Sequence, residues 1–275
     1  MAVIVLAHGA WSSAWAWKRV RPLMAAAGHE FLAPSYTGLG ERAHLARPEN
    51  DLETHIQDVV GVLKFEDLRN VVLIGHSYGG MVATGVADRA RERVVQLIYL
   101  DAFVPDDGQA LIDFLPQQRR QRLLDSVNTG DGWRVAPNPI PADTSEQDSA
   151  WIAKFRMPQS VKCFQQPIHL QAQVTLPRIY IQCMRYADQG PFEQFAAKAR
   201  RDGWPLYEMD ASHSPNVTAP DALAELLAKN FAAMRKNFAP TSTQIKNEGQ
   251  FISLANLQEP HIWQRSQVNG LTMSV

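Results

Sequence analysis

The 275-residue sequence predicts an α/β fold, a doubly wound and mostly parallel sheet of six strands, on three observations. First, short apolar runs rich in Val, Ile and Leu recur without alternation, as strands covered on both faces require. Second, stretches with apolar residues at helical spacing separate them. Third, the run V-V-L-I-G-H-S-Y-G-G at residues 71–80 breaks from a buried strand into a G-x-S-x-G signature formed by Gly75, Ser77 and Gly79. That pattern predicts strand, sharp turn and helix, with Ser77 at the tip of the turn.

Taken in order, residues 3–6 read as the first buried strand, which runs into His8, Gly9 and Ala10 at its carboxyl edge. Trp11, Trp15 and Trp17 follow, as pocket wall or plain packing, and a helix over 17–27 ends at the C-cap residue Gly28. Residues 29–33 make a second strand, and the turn-rich 34–40 leads to Glu41, Arg42 and His44, a candidate to face the substrate that reads more simply as a solvated loop histidine. Ile56, Val59, Val60 and Leu63 place an amphipathic helix over 52–64, with His55 structural beside the stripe. After the turn at Ser77, a helix spans 81–91 and a buried strand spans 94–100, ending in Asp101.

Seven prolines then punctuate the region about 105–176, which interrupts the strand and helix alternation. Such an insertion predicts a small cap over the catalytic edge, with Trp133, Trp151, Phe155, Met157 and Phe164 as its bulky candidates. The sheet resumes at 178–184, a helix follows over 191–201, and the last strand, 206–209, delivers Asp210 and His213. Thr218 and Asp221 read as a capping box opening a helix that closes near Asn237. The expected organisation is one domain over 1–237, cap included, and a C-terminal tail over 238–275 to which no role is assigned.

Composition narrows the function. Lys and Arg total 27 against 28 Asp and Glu, a net charge of -1 with both signs scattered, so no nucleic-acid or anionic-membrane footprint exists. A small-molecule partner fits better, with a homodimer left open. Cys163 and Cys183 are too few for a disulfide framework or a structural zinc site and are expected reduced. The first residues lack a charged leader and the apolar run stops at His8, so a cytoplasmic location is expected.

The candidate chemistry gathers at the carboxyl edge of the strands, where His8, Ser77, Asp101, Asp188 and His213 fall. A serine hydroxyl needs a neighbouring imidazole to take its proton, and the imidazole needs a carboxylate to fix its tautomer. Ser77 and His213 fill the first two roles. Asp101 is favoured for the third on strand-end position, with Asp188 as the alternative. The Ala10 and Tyr78 N–H groups are the candidates for an oxyanion hole.

Five segments carry a family resemblance: V-L-A-H-G-A-W from Val5, G-L-G-E-R from Gly38, G-H-S-Y-G-G-M from Gly75, Y-L-D-A-F-V-P from Tyr99 and S-H-S-P from Ser212. Over about residues 2–236 the chain resembles the α/β-hydrolase superfamily, and within it the branch of plant methyl esterases, hydroxynitrile lyases and their bacterial esterase relatives. The resemblance implies a cofactor-free, metal-free hydrolase that forms an acyl-enzyme on Ser77 and acts on a small to medium, largely apolar carboxylic ester. An amidase, a lactonase, a carbon–carbon bond hydrolase, a hydroxynitrile lyase and a ligand receptor of the same fold are the alternatives. In the plant enzymes the acid follows the strand matching 178–184, which points to Asp188; lipase-like members take it from the strand matching 94–100, which points to Asp101. The lyases carry a threonine where this chain has Gly9 and a lysine where it has Ser214, which weighs against cyanohydrin cleavage.

Overall fold

The computed structural model describes residues 1–186 and 190–238. Six parallel strands form the central sheet: β1 (Val3–Ala7), β2 (Glu30–Leu32), β3 (Val71–His76), β4 (Val94–Leu100), β7 (Arg178–Cys183) and β8 (Leu206–Met209), in the order β2-β1-β3-β4-β7-β8. Every residue of β3 is buried, as its unbroken apolar run requires of a central strand. The strand order reverses between β1 and β3, so a crevice opens where their carboxyl ends part, beside Gly9 and Ser77.

The helices are α1 (Val20–Ala26), α2 (Leu52–Phe65), α3 (Gly79–Arg89), α4 (Gln117–Thr129), α5 (Glu146–Phe155), α6 (Lys162–Gln165), α7 (Glu193–Arg201), α8 (Pro215–Thr218) and α9 (Pro220–Phe238). Helix α2 buries Leu52, Ile56, Val59 and Leu63, each worth about 1.5–3 kcal/mol against exposure. Its N-terminus carries a cap absent from the sequence reading: the Asp51 carboxylate accepts from Thr54 N–H at 2.8 Å, and Asp51 N–H donates to Thr54 Oγ1. Between β4 and β7 lie α4, α5, α6 and the antiparallel two-residue strands β5 (Arg134–Val135) and β6 (Gln159–Ser160). Residues Met1–Ala233 form one compact unit and Met234–Val275 a second, of which only the last turns of α9 are described.

Several boundaries differ from expectation for local reasons. The helix expected over 17–27 is a 3-10 turn (Ala14–Trp17) followed by α1, and a 3-10 turn (Leu111–Phe114) is separated from α4 at Leu115 and Pro116, whose ring cannot continue a helix from the preceding turn. Thr218 does not open the last helix. Its hydroxyl donates back to the Ser214 carbonyl at 3.2 Å within α8, and Ala219, with φ of -148°, separates α8 from α9. Both cysteines are free and buried. Asp188 and residues 239–275 of the tail lie outside the described residues.

Candidate active site

Strand β3 enters the site fully buried and turns at Ser77, whose φ of 55° is left-handed and costly for a residue with a side chain. Close packing around the bend holds that conformation. A Cβ on Gly75 would lie 2.7 Å from the Gly79 carbonyl oxygen, and one on Gly79 would overlap the Ala7 carbonyl, so both positions demand glycine. The turn is also tied to the end of β4: Ser77 N–H donates to the Leu100 carbonyl at 3.3 Å, and Phe103 N–H donates to the Ser77 carbonyl at 3.2 Å.

Three sequence-predicted side chains meet there. His213 Nδ1–H donates to Asp101 Oδ2 at 2.7 Å, which leaves the Nε2 lone pair facing the Ser77 hydroxyl at 3.0 Å. Asp101 is 1% exposed and has φ of 42°; its N–H donates to the Ile181 carbonyl at 2.7 Å, and its Oδ1 accepts from Cys183 N–H at 3.3 Å. Strands β4 and β7 therefore lock the carboxylate in place, because they are hydrogen-bonded neighbours whose ends fall together. Phe192 stacks on the His213 ring at 4.8 Å and 14°, an apolar lid on the imidazole. Among the described residues the Ala10 and Tyr78 backbone N–H groups have no acceptor. Such an arrangement can move a proton from Ser77 to His213 as Oγ attacks an acyl carbon, and two free donors can receive the resulting oxyanion.

Other candidates are placed elsewhere. Asp210 pairs with Arg185 at 2.7 Å on the exposed surface, and His44 is exposed. His8 is fully buried with its ring stacked on Tyr36 at 3.7 Å, and burial holds its pKa down at about 3.

Two buried histidines make supporting contacts: His55, expected to be structural, and His76, which the sequence reading passed over. His76 Nε2–H donates to the His213 carbonyl at 2.7 Å, so the residue before the serine anchors the backbone of the distant imidazole. Burial, with His213 beside it, lowers the His76 pKa to about 3 and keeps it a neutral donor. His55 commits Nε2–H to the Thr37 carbonyl at 3.1 Å, so its Nδ1 accepts the Tyr78 hydroxyl at 2.9 Å. Burial lowers His55 to about 4, and the same burial pushes the neighbouring Cys163 thiol up to about 12, so no thiolate competes with Ser77. The only sequence signal for these roles was the apolar context of both histidines.

A cavity of about 640 Å³ opens above Ser77 and His213. Its apolar wall comes from Trp11, Trp15, Leu111, Leu123, Ile152 and Phe164, among others. Of the bulky residues expected from the 105–176 region, only Phe164 faces it. Trp151 and Phe155 pack against Trp15 instead, at ring distances of 5.2 and 5.5 Å, and Trp133 lies over a separate shallow depression. A Cβ on Gly9 would sit 3.2 Å from both Ser77 Cβ and His76 Nδ1, so any side chain there would crowd Ser77. No group of metal-ligating side chains occurs among the described residues, and no helix among them is long and apolar enough to cross a membrane.

The chain belongs to the alpha/beta hydrolase family, whose model matches residues 4–226. It is 37% identical over 244 residues to a carbendazim hydrolyzing esterase from Nocardioides sp. (strain SG-4G), covering 83% of this chain and 99% of that protein. Salicylic acid-binding protein 2 of Nicotiana tabacum is 33% identical over 106 residues, 37% of this chain and 40% of that protein, which places the plant branch among the relatives. Among solved structures, an extracellular alpha/beta-hydrolase from a Paenibacillus species superposes with a TM-score of 0.75 at 23% identity, covering 83% of this chain and 98% of that one.

Proposed function

We propose that this hydrolase cleaves a small to medium, largely apolar carboxylic ester through an acyl-enzyme on Ser77. The relay of Ser77, His213 and Asp101 on the floor of a 640 Å³ cavity carries this reading. Ser77 Oγ attacks the acyl carbon while His213 Nε2 takes its proton, and the Ala10 and Tyr78 N–H groups hold the oxyanion. His213 then gives the proton to the leaving alkoxide, and a water, deprotonated by the same nitrogen, releases the acid. Asp101 keeps the proton on Nδ1 throughout and stabilises the imidazolium. Similarity to a carbendazim hydrolyzing esterase supports an ester as the bond cleaved, and the mainly aliphatic and aromatic wall supports an apolar substrate.

The test is a panel of aryl and alkyl esters of increasing chain length. Ser77→Ala should lose about 10³-fold or more in kcat, and a phosphonate should label Ser77 alone. Labelling of another serine, or ligand binding without turnover by the native protein, would refute the proposal. Cyanohydrin cleavage is not expected, since no lysine among the described residues lines the cavity to receive a departing cyanide and Gly9 and Ser214 stand at the lyase positions. Cyanide release from mandelonitrile at a rate matching ester turnover would contradict that expectation.

A further inference from the structure

The charge lining the cavity is one-sided. Among the described residues Arg119, Arg122 and Arg156 face it, while no aspartate or glutamate does, in a chain whose acidic residues outnumber its basic ones by 28 to 27. Chance exposure of a basic protein does not account for three guanidinium groups here. Helix α4 presents Arg119, Arg122, Leu123 and Ser126 to the cavity, one face at helical spacing, while Arg120 is exposed outside the lining. Arg119 is half-buried and Arg122 exposed, and neither has an ion-pair or side-chain hydrogen-bond partner among the described residues. Arg156 lies on another part of the wall, donating to the Asn138 carbonyl at 2.7 Å and stacking over Trp11 at 5.3 Å.

Two like charges three apart on a helix repel, and both stand in its first half, where the first turn holds no acidic residue and the peptide dipoles disfavour cations. A bound carboxylate would reverse each of these costs, and a guanidinium offers it paired N–H donors. We propose that the substrate is an ester with a carboxylate at its far end, held by Arg119 and Arg122 while the apolar middle lies along the wall and the ester reaches Ser77. The nature of the bond cleaved rests on the ester-hydrolase reading above; the anion site does not.

The experiment measures binding to Ser77→Ala by calorimetry, using the monoethyl and diethyl esters of hexanedioic, octanedioic and decanedioic acids. The half-ester should bind about tenfold tighter than the diester at one favoured chain length, the scale of two partly exposed charge pairs. That advantage should shrink as salt rises from about 0.01 to about 1 M, where the screening length falls from about 30 to about 3 Å. Adding Arg119→Gln and Arg122→Gln should bring the two ligands within twofold of each other, whereas adding Arg120→Gln should keep the advantage. Equal or weaker binding of the half-ester, no binding of either ligand, or an equal loss on Arg120→Gln would overturn the inference. The salt series decides it even if the double variant fails to fold. Turnover by the native protein is scored separately: diester hydrolysis without a half-ester advantage removes the anion site and leaves the esterase, while tight half-ester binding without turnover does the reverse.

Discussion

The His213 imidazole is held from three directions: Asp101 at Nδ1, His76 at the backbone carbonyl and the Phe192 ring across its face. The sharpest residue-level consequence concerns Asp101. An amide in its place would offer Nδ1 an N–H donor and favour the wrong tautomer, so Asp101→Asn should lower kcat by about 10⁴-fold with little change in the fold. Asp188→Asn should keep most activity, because the His213 Nδ1 position is already filled by a carboxylate at 2.7 Å. Steady-state kinetics of the two variants on one aryl ester tests this, and an inactive Asp188→Asn beside an active Asp101→Asn would transfer the acid role. Much of this site was legible residue by residue, since Ser77 and His213 sit where strand-end positions placed them. The anchoring role of His76 was not, because its acceptor lies 137 residues away.

Among the elements, the strand-turn-helix of β3 and α3 is the one with least tolerance. Gly79 faces the backbone of β1, and a methyl group there would overlap the Ala7 carbonyl, which belongs to a strand and cannot swing aside. Gly79→Ala should therefore destabilise the protein by about 1–3 kcal/mol or more and disturb Ser77. Gly61, inside α2, has no atom within 4 Å of a built Cβ, so Gly61→Ala should instead stabilise by about 0.5–1 kcal/mol. Urea midpoints of the two variants give opposite signs on this account; a neutral Gly79→Ala would show that the contact relaxes. The two glycines look alike in a sequence. One differs from the other only through the element packed against it.

At the scale of the molecule, three imidazoles among the described residues are buried neutral: His8 and His76 with pKa values of about 3 and His55 of about 4, each lowered chiefly by burial from 6.5. The folded state holds these groups uncharged, so below about pH 6.5 the unfolded chain binds protons that the native chain does not. The associated stability is fully present above about pH 6.5 and is lost as pH falls towards 4 and then 3. The expected slope is on the order of 1 kcal/mol per pH unit for each histidine. Denaturant midpoints between pH 8 and pH 5 should be level above about 7 and fall below 6.5. A midpoint that stays level down to pH 5 would mean that these rings gain protons without unfolding.

By itself the sequence determined the parallel sheet, the position of the Ser77 turn and the family, because each is written in local terms. A strand covered on both faces must be apolar throughout, and a strand-to-helix bend tight enough to carry Ser77 must have small residues at Gly75 and Gly79. Tertiary structure alone decided which carboxylate meets His213, since that depends on β4 and β7 being neighbours in register, a pairing between segments about 80 residues apart. It also decided which bulky residues wall the cavity: Trp151 and Phe155 turned to Trp15, while two arginines of α4 turned inward. Apolar and charged residues alike carry no address for the surface they will face; only the packing of the elements supplies it.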